Sequence, residues 1–126
     1  MSPDVTELVD RYCAVWNEPD AERRAALLAA AWAEGATYTD PRADTRGAAQ
    51  LLAHIATVRA SRPGATIVRT SAVDLHHDLA RFGWRVVEAD GTLLPEGIDI
   101  VFLNEDGSLI ERIVGFFGPL SPLAQP

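Results

Sequence analysis

A single cysteine, Cys13, is all the thiol chemistry in this chain of 126 residues, which excludes an intrachain disulfide and a cysteine-based metal site and fits a reducing compartment. Long apolar runs are missing as well. Nothing approaches the roughly 18 residues of a membrane-spanning helix, and the acidic N-terminus does not read as a secretory leader. Basic clusters are scarce, Arg23-Arg24 being the one adjacent pair. With a formal net charge of −7 and a sequence pI near 4.8, the chain repels a phosphate backbone or an anionic bilayer, so neither nucleic acid nor a membrane is expected as a partner. The three histidines have no zinc-like spacing with one another or with Cys13, and no metal is expected. These absences predict a soluble, cytoplasmic protein. The 48% hydrophobic content suffices for one compact domain, expected over 1–118 with a Pro-rich tail over 119–126.

Apolar residues at Val5, Leu8, Val9, Tyr12, Cys13 and Trp16 have the spacing of an amphipathic helix, with Asp4 as N-cap and Glu7 completing a box-like pattern. Asn17 to Asp20 breaks it, and Asp20 can cap a second, Ala-rich helix running from Ala21 to about Trp32 and stopped by Gly35. Ala36 to Asp40 then reads as a short strand, ended by Pro41. Arg42 to Arg46 is expected as a polar loop. A third helix follows Gly47, with Ala48, Leu51, Leu52, Ile55 and Val58 on one face, and Pro63-Gly64 ends it. The rest changes period. Thr66–Leu75, Leu79–Ala89, a segment from about Glu96 to Asn104, and Leu109–Phe117 read as four strands of an antiparallel meander, separated by His76-His77-Asp78, Asp90-Gly91 and Asp106-Gly107. The expected class is therefore α+β, with three N-terminal helices packed on a curved, mostly antiparallel sheet.

Alternation within the strands predicts shared faces. Phe82, Trp84 and Val86 point inward, opposite Arg81, Gly83 and Arg85. In the next strand Gly97, Asp99, Val101 and Leu103 oppose Ile98, Ile100 and Phe102; both sets are apolar, so parity leaves the interior face open. One face lining a pocket and the other meeting a second copy of the chain would account for both.

Two carboxylates stand out. Asp40 sits where a strand meets proline, a placement that also suits a plain turn residue. Asp99 stands among apolar neighbours, where an ionised carboxylate must be paired, hydrogen-bonded or protonated; a strand-edge residue reaching water, or a structural partner of an arginine, is the alternative. His54 lies beside the apolar stripe of the third helix as a polar group for a pocket or a partly buried helix histidine. His76 and His77 belong to a turn and should face solvent. Cys13 reads as a small buried hydrophobe, and Arg112 as a surface or interface arginine.

Tyr12 in the first helix, Asp40 before proline, and Asp99 in a late strand reproduce the order and approximate spacing of the catalytic set of Δ5-3-ketosteroid isomerases. Arg11-Tyr12, Asn17, Asp20, Ala36 through Pro41, Gly47, Ile98-Asp99, Asn104, Gly107 and Phe116 or Phe117 extend the likeness across almost the whole chain. It resembles the wider nuclear transport factor two-like superfamily, with its SnoaL-like proteins and scytalone dehydratase, which implies a cystatin-like cone around a hydrophobic pocket. The resemblance implies Asp40 as general base and Tyr12 with a protonated Asp99 as hydrogen-bond donors to an enolate, without metal or organic cofactor. It implies a pocket lined by Trp16, His54, Phe82, Trp84, Val86, Val101, Val114 and Phe116, a small apolar carbonyl compound as substrate, and a homodimer formed through the outer sheet face.

Departures narrow that picture. The third helix reads His54-Ile55 where steroid isomerases commonly carry a supporting tyrosine, and Tyr38 is the only other tyrosine, which predicts a substrate smaller or more polar than a steroid. Two other functions compete with the isomerase, cyclase or dehydratase reading. A ligand-binding or dimerising module would have the pocket without turnover. An epoxide hydrolase of the limonene type would need an Asp-Arg-Asp set converging in the pocket, and parity turns Arg85 away.

Overall fold

The computed structural model describes residues 4–124. Helix α1 (Val5–Asn17) starts where its cap predicts: the Asp4 carboxylate accepts from the Glu7 backbone N–H at 2.8 Å, satisfying one of the donors a helix start leaves free. Its buried face carries Leu8, Val9, Tyr12, Cys13, Val15 and Trp16. Asp20 caps α2 (Ala21–Ala29) in the same way, accepting from the Arg23 N–H at 2.9 Å.

Helix α2 stops short of the expected Trp32, because Trp32 already pairs with Ile110 in the sheet. Gly35, with φ of 74°, is not a helix stop; it lies within a register shift between Trp32 and Thr37, a bulge in β1 (Trp32–Asp40). The expected loop from Arg42 to Arg46 contains a short edge strand, β2 (Ala43–Arg46). Its polar residues suggest a loop, yet its backbone pairs antiparallel with β1, with Asp40 opposite Ala43, so Pro41-Arg42 forms a two-residue turn. Helix α3 (Ala48–Ser61) follows Gly47, whose φ of 81° only glycine adopts without strain.

The segment expected as one strand over Thr66–Leu75 is two, β3 (Thr66–Arg69) and β4 (Asp74–His76), both antiparallel to β5 (Leu79–Val87). Between them the Ser71 hydroxyl accepts from the Gly83 N–H at 2.8 Å, taking the place of a ladder bond. β6 (Gly97–Leu103) and β7 (Ile110–Phe116) complete the meander. Strand order is β2-β1-β7-β6-β5-β3 with β4 beside β5, and only the β1–β7 pairing is parallel. This is the α+β arrangement expected, with α1 packed on β3, α3 on β1 and β2, and α2 against α1, α3 and β1.

Pairing also decides which face of β6 is inside. Gly97, Asp99 and Val101 are buried, whereas Ile98 is 44% exposed and stands opposite Phe116, itself 60% exposed, on the outer face. His76 and His77 are exposed at their turn, and Arg112 lies on the same outer face, its guanidinium 5.6 Å from the Phe102 ring centroid. After Phe116 the described chain forms no regular element, and Leu120 and Leu123 are exposed. No helix among the described residues is long and apolar enough to cross a membrane.

Candidate active site

Tyr12, Asp40 and Asp99, drawn from α1, β1 and β6, line one cavity of about 390 Å3. That volume lies near the lower end of the roughly 300–1,000 Å3 typical of ligand pockets. Three strands place the acids. Asp99 is the cross-strand partner of Gly115 in β7, and β1 runs along the other side of β7 with Thr39 opposite Val114. A Cβ at position 115 would lie 2.8 Å from Asp99 Oδ1 and 3.5 Å from the Asp40 Cβ, so the missing side chain of Gly115 is what lets the two carboxyl groups occupy one end of the cavity.

Asp40 is held on both oxygens. The Tyr38 hydroxyl donates to Oδ2 at 2.5 Å and the Arg42 backbone N–H donates to Oδ1 at 2.7 Å, with the Asp40 side chain only 3% exposed. His54 Nε2 is 3.9 Å from the same Oδ2, its ring edge-on to Trp16 and tilted against Tyr38. Burial, then the charges and hydrogen bond of Asp99 and Asp40, raise Tyr38 far above the ordinary phenol range, so it remains a donor.

Asp99 is 5% exposed and receives one side-chain hydrogen bond, from Trp84 Nε1 to Oδ1 at 2.9 Å. Burial pushes its carboxyl up to about 7; the Trp84 N–H opposes the rise, and the nearby charge of Asp40 adds to it. Gly97 makes room for this indole, since a Cβ there would run into Trp84 and the Phe116 carbonyl. Tyr12 stacks on Trp32 with centroids 5.9 Å apart. Burial first, then Tyr38 and Asp99, raise its hydroxyl well above the usual range, which keeps the proton on it. The Cys13 thiol also touches the cavity, pushed up to about 12 chiefly by burial and therefore not a thiolate at neutral pH.

Of the expected lining, Trp16, His54, Phe82, Trp84 and Val86 are in place. Val101, Val114 and Phe116 are not. Val101 faces inward but is fully buried in the core, while the inward residues of β7 are Ile113 and Gly115, which turns Val114 and Phe116 to the other side. Phe117 lines the cavity in place of Phe116, edge-to-face with Trp84 at 5.8 Å. Sequence reasoning missed Tyr38 and Arg42. Tyr38 could have been found, because residues i and i+2 of a strand share a face and Asp40 is its i+2 neighbour. Arg85 faces Glu96 at 4.0 Å and is not among the cavity residues, so it does not complete an Asp-Arg-Asp set there. Among the described residues, no group of three or more His, Cys, Asp and Glu has a metal-binding arrangement.

No family model and no curated protein matches the sequence. Solved structures do. The chain is similar to a SnoaL-like family protein from Agrobacterium tumefaciens described as a candidate isomerase, with 37% identity, a TM-score of 0.84, and coverage of 90% of this chain and 96% of that one. It also shares its fold with a candidate SnoaL-like polyketide cyclase from Jannaschia sp. CCS1 (15% identity, TM-score 0.66, 92% and 88% covered). A third is a protein of ketosteroid isomerase-like fold from Catenulispora acidiphila in complex with trimethylamine (16% identity, TM-score 0.71, 94% and 88% covered).

Proposed function

The chain belongs to the SnoaL-like family, within the nuclear transport factor two-like superfamily, and from that premise we propose that it is a cofactor-independent proton-transfer enzyme acting on a small carbonyl compound. The observation that carries this reading is that two carboxyl groups in unlike surroundings share one end of a mostly apolar cavity. In this proposal Asp40 takes a proton from the carbon next to the carbonyl. The C–H electron pair becomes a C=C bond and the carbonyl oxygen becomes an enolate. Tyr12 and protonated Asp99 donate hydrogen bonds to that oxygen as charge develops, which is where preorganised donors lower a barrier most. Asp40 then returns the proton to another carbon on the same face, or the enolate attacks or expels a group within the same molecule. Tyr38 holds the base in position through its hydrogen bond.

The test is exchange in D2O. Incubated with a β,γ-unsaturated ketone, the protein should catalyse deuterium incorporation at the α-carbon, followed by NMR, together with conversion to the conjugated enone. Exchange no faster than in buffer across a panel of cyclic and open-chain ketones would leave a binding module of the same fold.

The outer sheet face supports a second element of the proposal, a homodimer. Ile98 and Phe116 form an exposed cross-strand apolar pair beside Ile100 and Val114, the kind of patch a second copy covers. Light scattering should give twice the chain mass, reduced to one by Phe116→Glu.

A further inference from the structure

We propose that Arg42 makes the exposed edge of the cavity a carboxylate subsite, so that the compound turned over here carries an acidic group in addition to its reacting carbonyl. The subsite rests on the proton-transfer reading only in that the carbonyl of the same compound reacts.

Two arginines line the cavity, and they differ. Arg62 faces Glu88 in an ion pair, whereas among the described residues the Arg42 side chain meets no carboxylate and no hydrogen-bond acceptor. In a chain with 18 acidic and 11 basic residues, a guanidinium left without an acid at the edge of a cavity is a site offered to something else. Its placement is defined from two directions. The Arg42 backbone N–H is bound to Asp40 Oδ1, which fixes the turn, and the guanidinium lies 5.9 Å from the Phe117 ring centroid. Stacking on an aromatic face steadies a guanidinium without using its in-plane N–H donors, which stay available to a planar carboxylate. Phe117 in turn meets Trp84, and Trp84 donates to Asp99. One run of side chains thus joins the outer cation to the inner acid.

Charge favours one partner for an anionic group: the ionised Asp40 repels it and Arg42 attracts it, so a bound acid sets its carboxylate on Arg42.

The experiment compares 3-(4-hydroxyphenyl)propionate with its methyl ester, the phenol standing in for an enol at the inner end, by quenching of the fluorescence of Trp16 and Trp84. The acid should bind about fivefold tighter than the ester at low ionic strength, the upper end of what an exposed ion pair supplies. Added salt should shrink that ratio, Arg42→Gln should bring it to about one, and Arg42→Lys should keep most of it. Equal binding of acid and ester, a ratio that survives Arg42→Gln, or no quenching by either probe at millimolar concentration overturns the assignment. The two readings fail separately: an acid preference without deuterium exchange removes the proton transfer and leaves the subsite, and exchange of neutral ketones without an acid preference does the reverse.

Discussion

Asp40 and Asp99 flank the same glycine, yet their surroundings are opposite. Asp40 ends a strand at a tight turn, where a phenol and a backbone amide each reach one of its oxygens. Asp99 stands inside a strand, where ladder bonds use up the backbone amides, and the indole of Trp84 is its one side-chain donor. The acid short of donors is the one that burial drives up to about 7. At Asp99 burial is opposed by a single side-chain donor, and a strand end has more N–H and O–H groups to give than a strand middle.

The largest expected effect breaks this comparison at Asp40, the member with two donors. Asp40→Asn removes the base while keeping the acceptor oxygen, and α-proton exchange should fall roughly 1,000-fold with ligand binding retained. Next comes Asp99. Its folded pKa of about 7 lies above the unfolded carboxylate value, so it favours the native state fully below about pH 4, and that contribution is lost as pH rises to about 7. Asp99→Asn should erase this slope, making the variant more stable than the parent above pH 7 by a few kcal/mol, at about 1.4 kcal/mol for every tenfold difference in proton affinity between the folded and unfolded chain; matched urea titrations at pH 5 and pH 8 measure it. Gly115→Ala pushes a methyl group between the two acids and should slow exchange by roughly 100-fold, with about 1–3 kcal/mol lost from stability. The smallest effect sharpens the comparison. Trp84→Phe deletes the side-chain donor to Asp99 and should move the midpoint of that carboxyl further upward, read by carbon NMR titration of labelled aspartate.

The helical period places Tyr12 on the apolar side of α1, whereas its grouping with Asp40 and Asp99 comes from the resemblance to ketosteroid isomerases and not from periodicity. The interior face of β6 is different: both of its faces are apolar, and only its pairing with β5 and β7 turns Asp99 inward. The exchange of Phe116 for Phe117 is one of parity: with Ile113 and Gly115 inward, Val114 and Phe116 turn outward and Phe117 falls on the cavity side. Trp32 reads as the end of a helix from its Ala-rich approach, but the edge offered by β7 outweighs local propensity. Gly115 is invisible in one dimension, because its meaning comes from side chains on two other strands.

The parallel seam between β1 and β7 has a consequence for synthesis. Asp40 leaves the ribosome well before β7, the strand that must lie between it and Asp99, so the two acids cannot become neighbours until β7 has been made. A nascent chain halted before Ile110 would hold the base at the margin of an open sheet. The finished pocket thus certifies that the polypeptide has been made at least as far as Gly115.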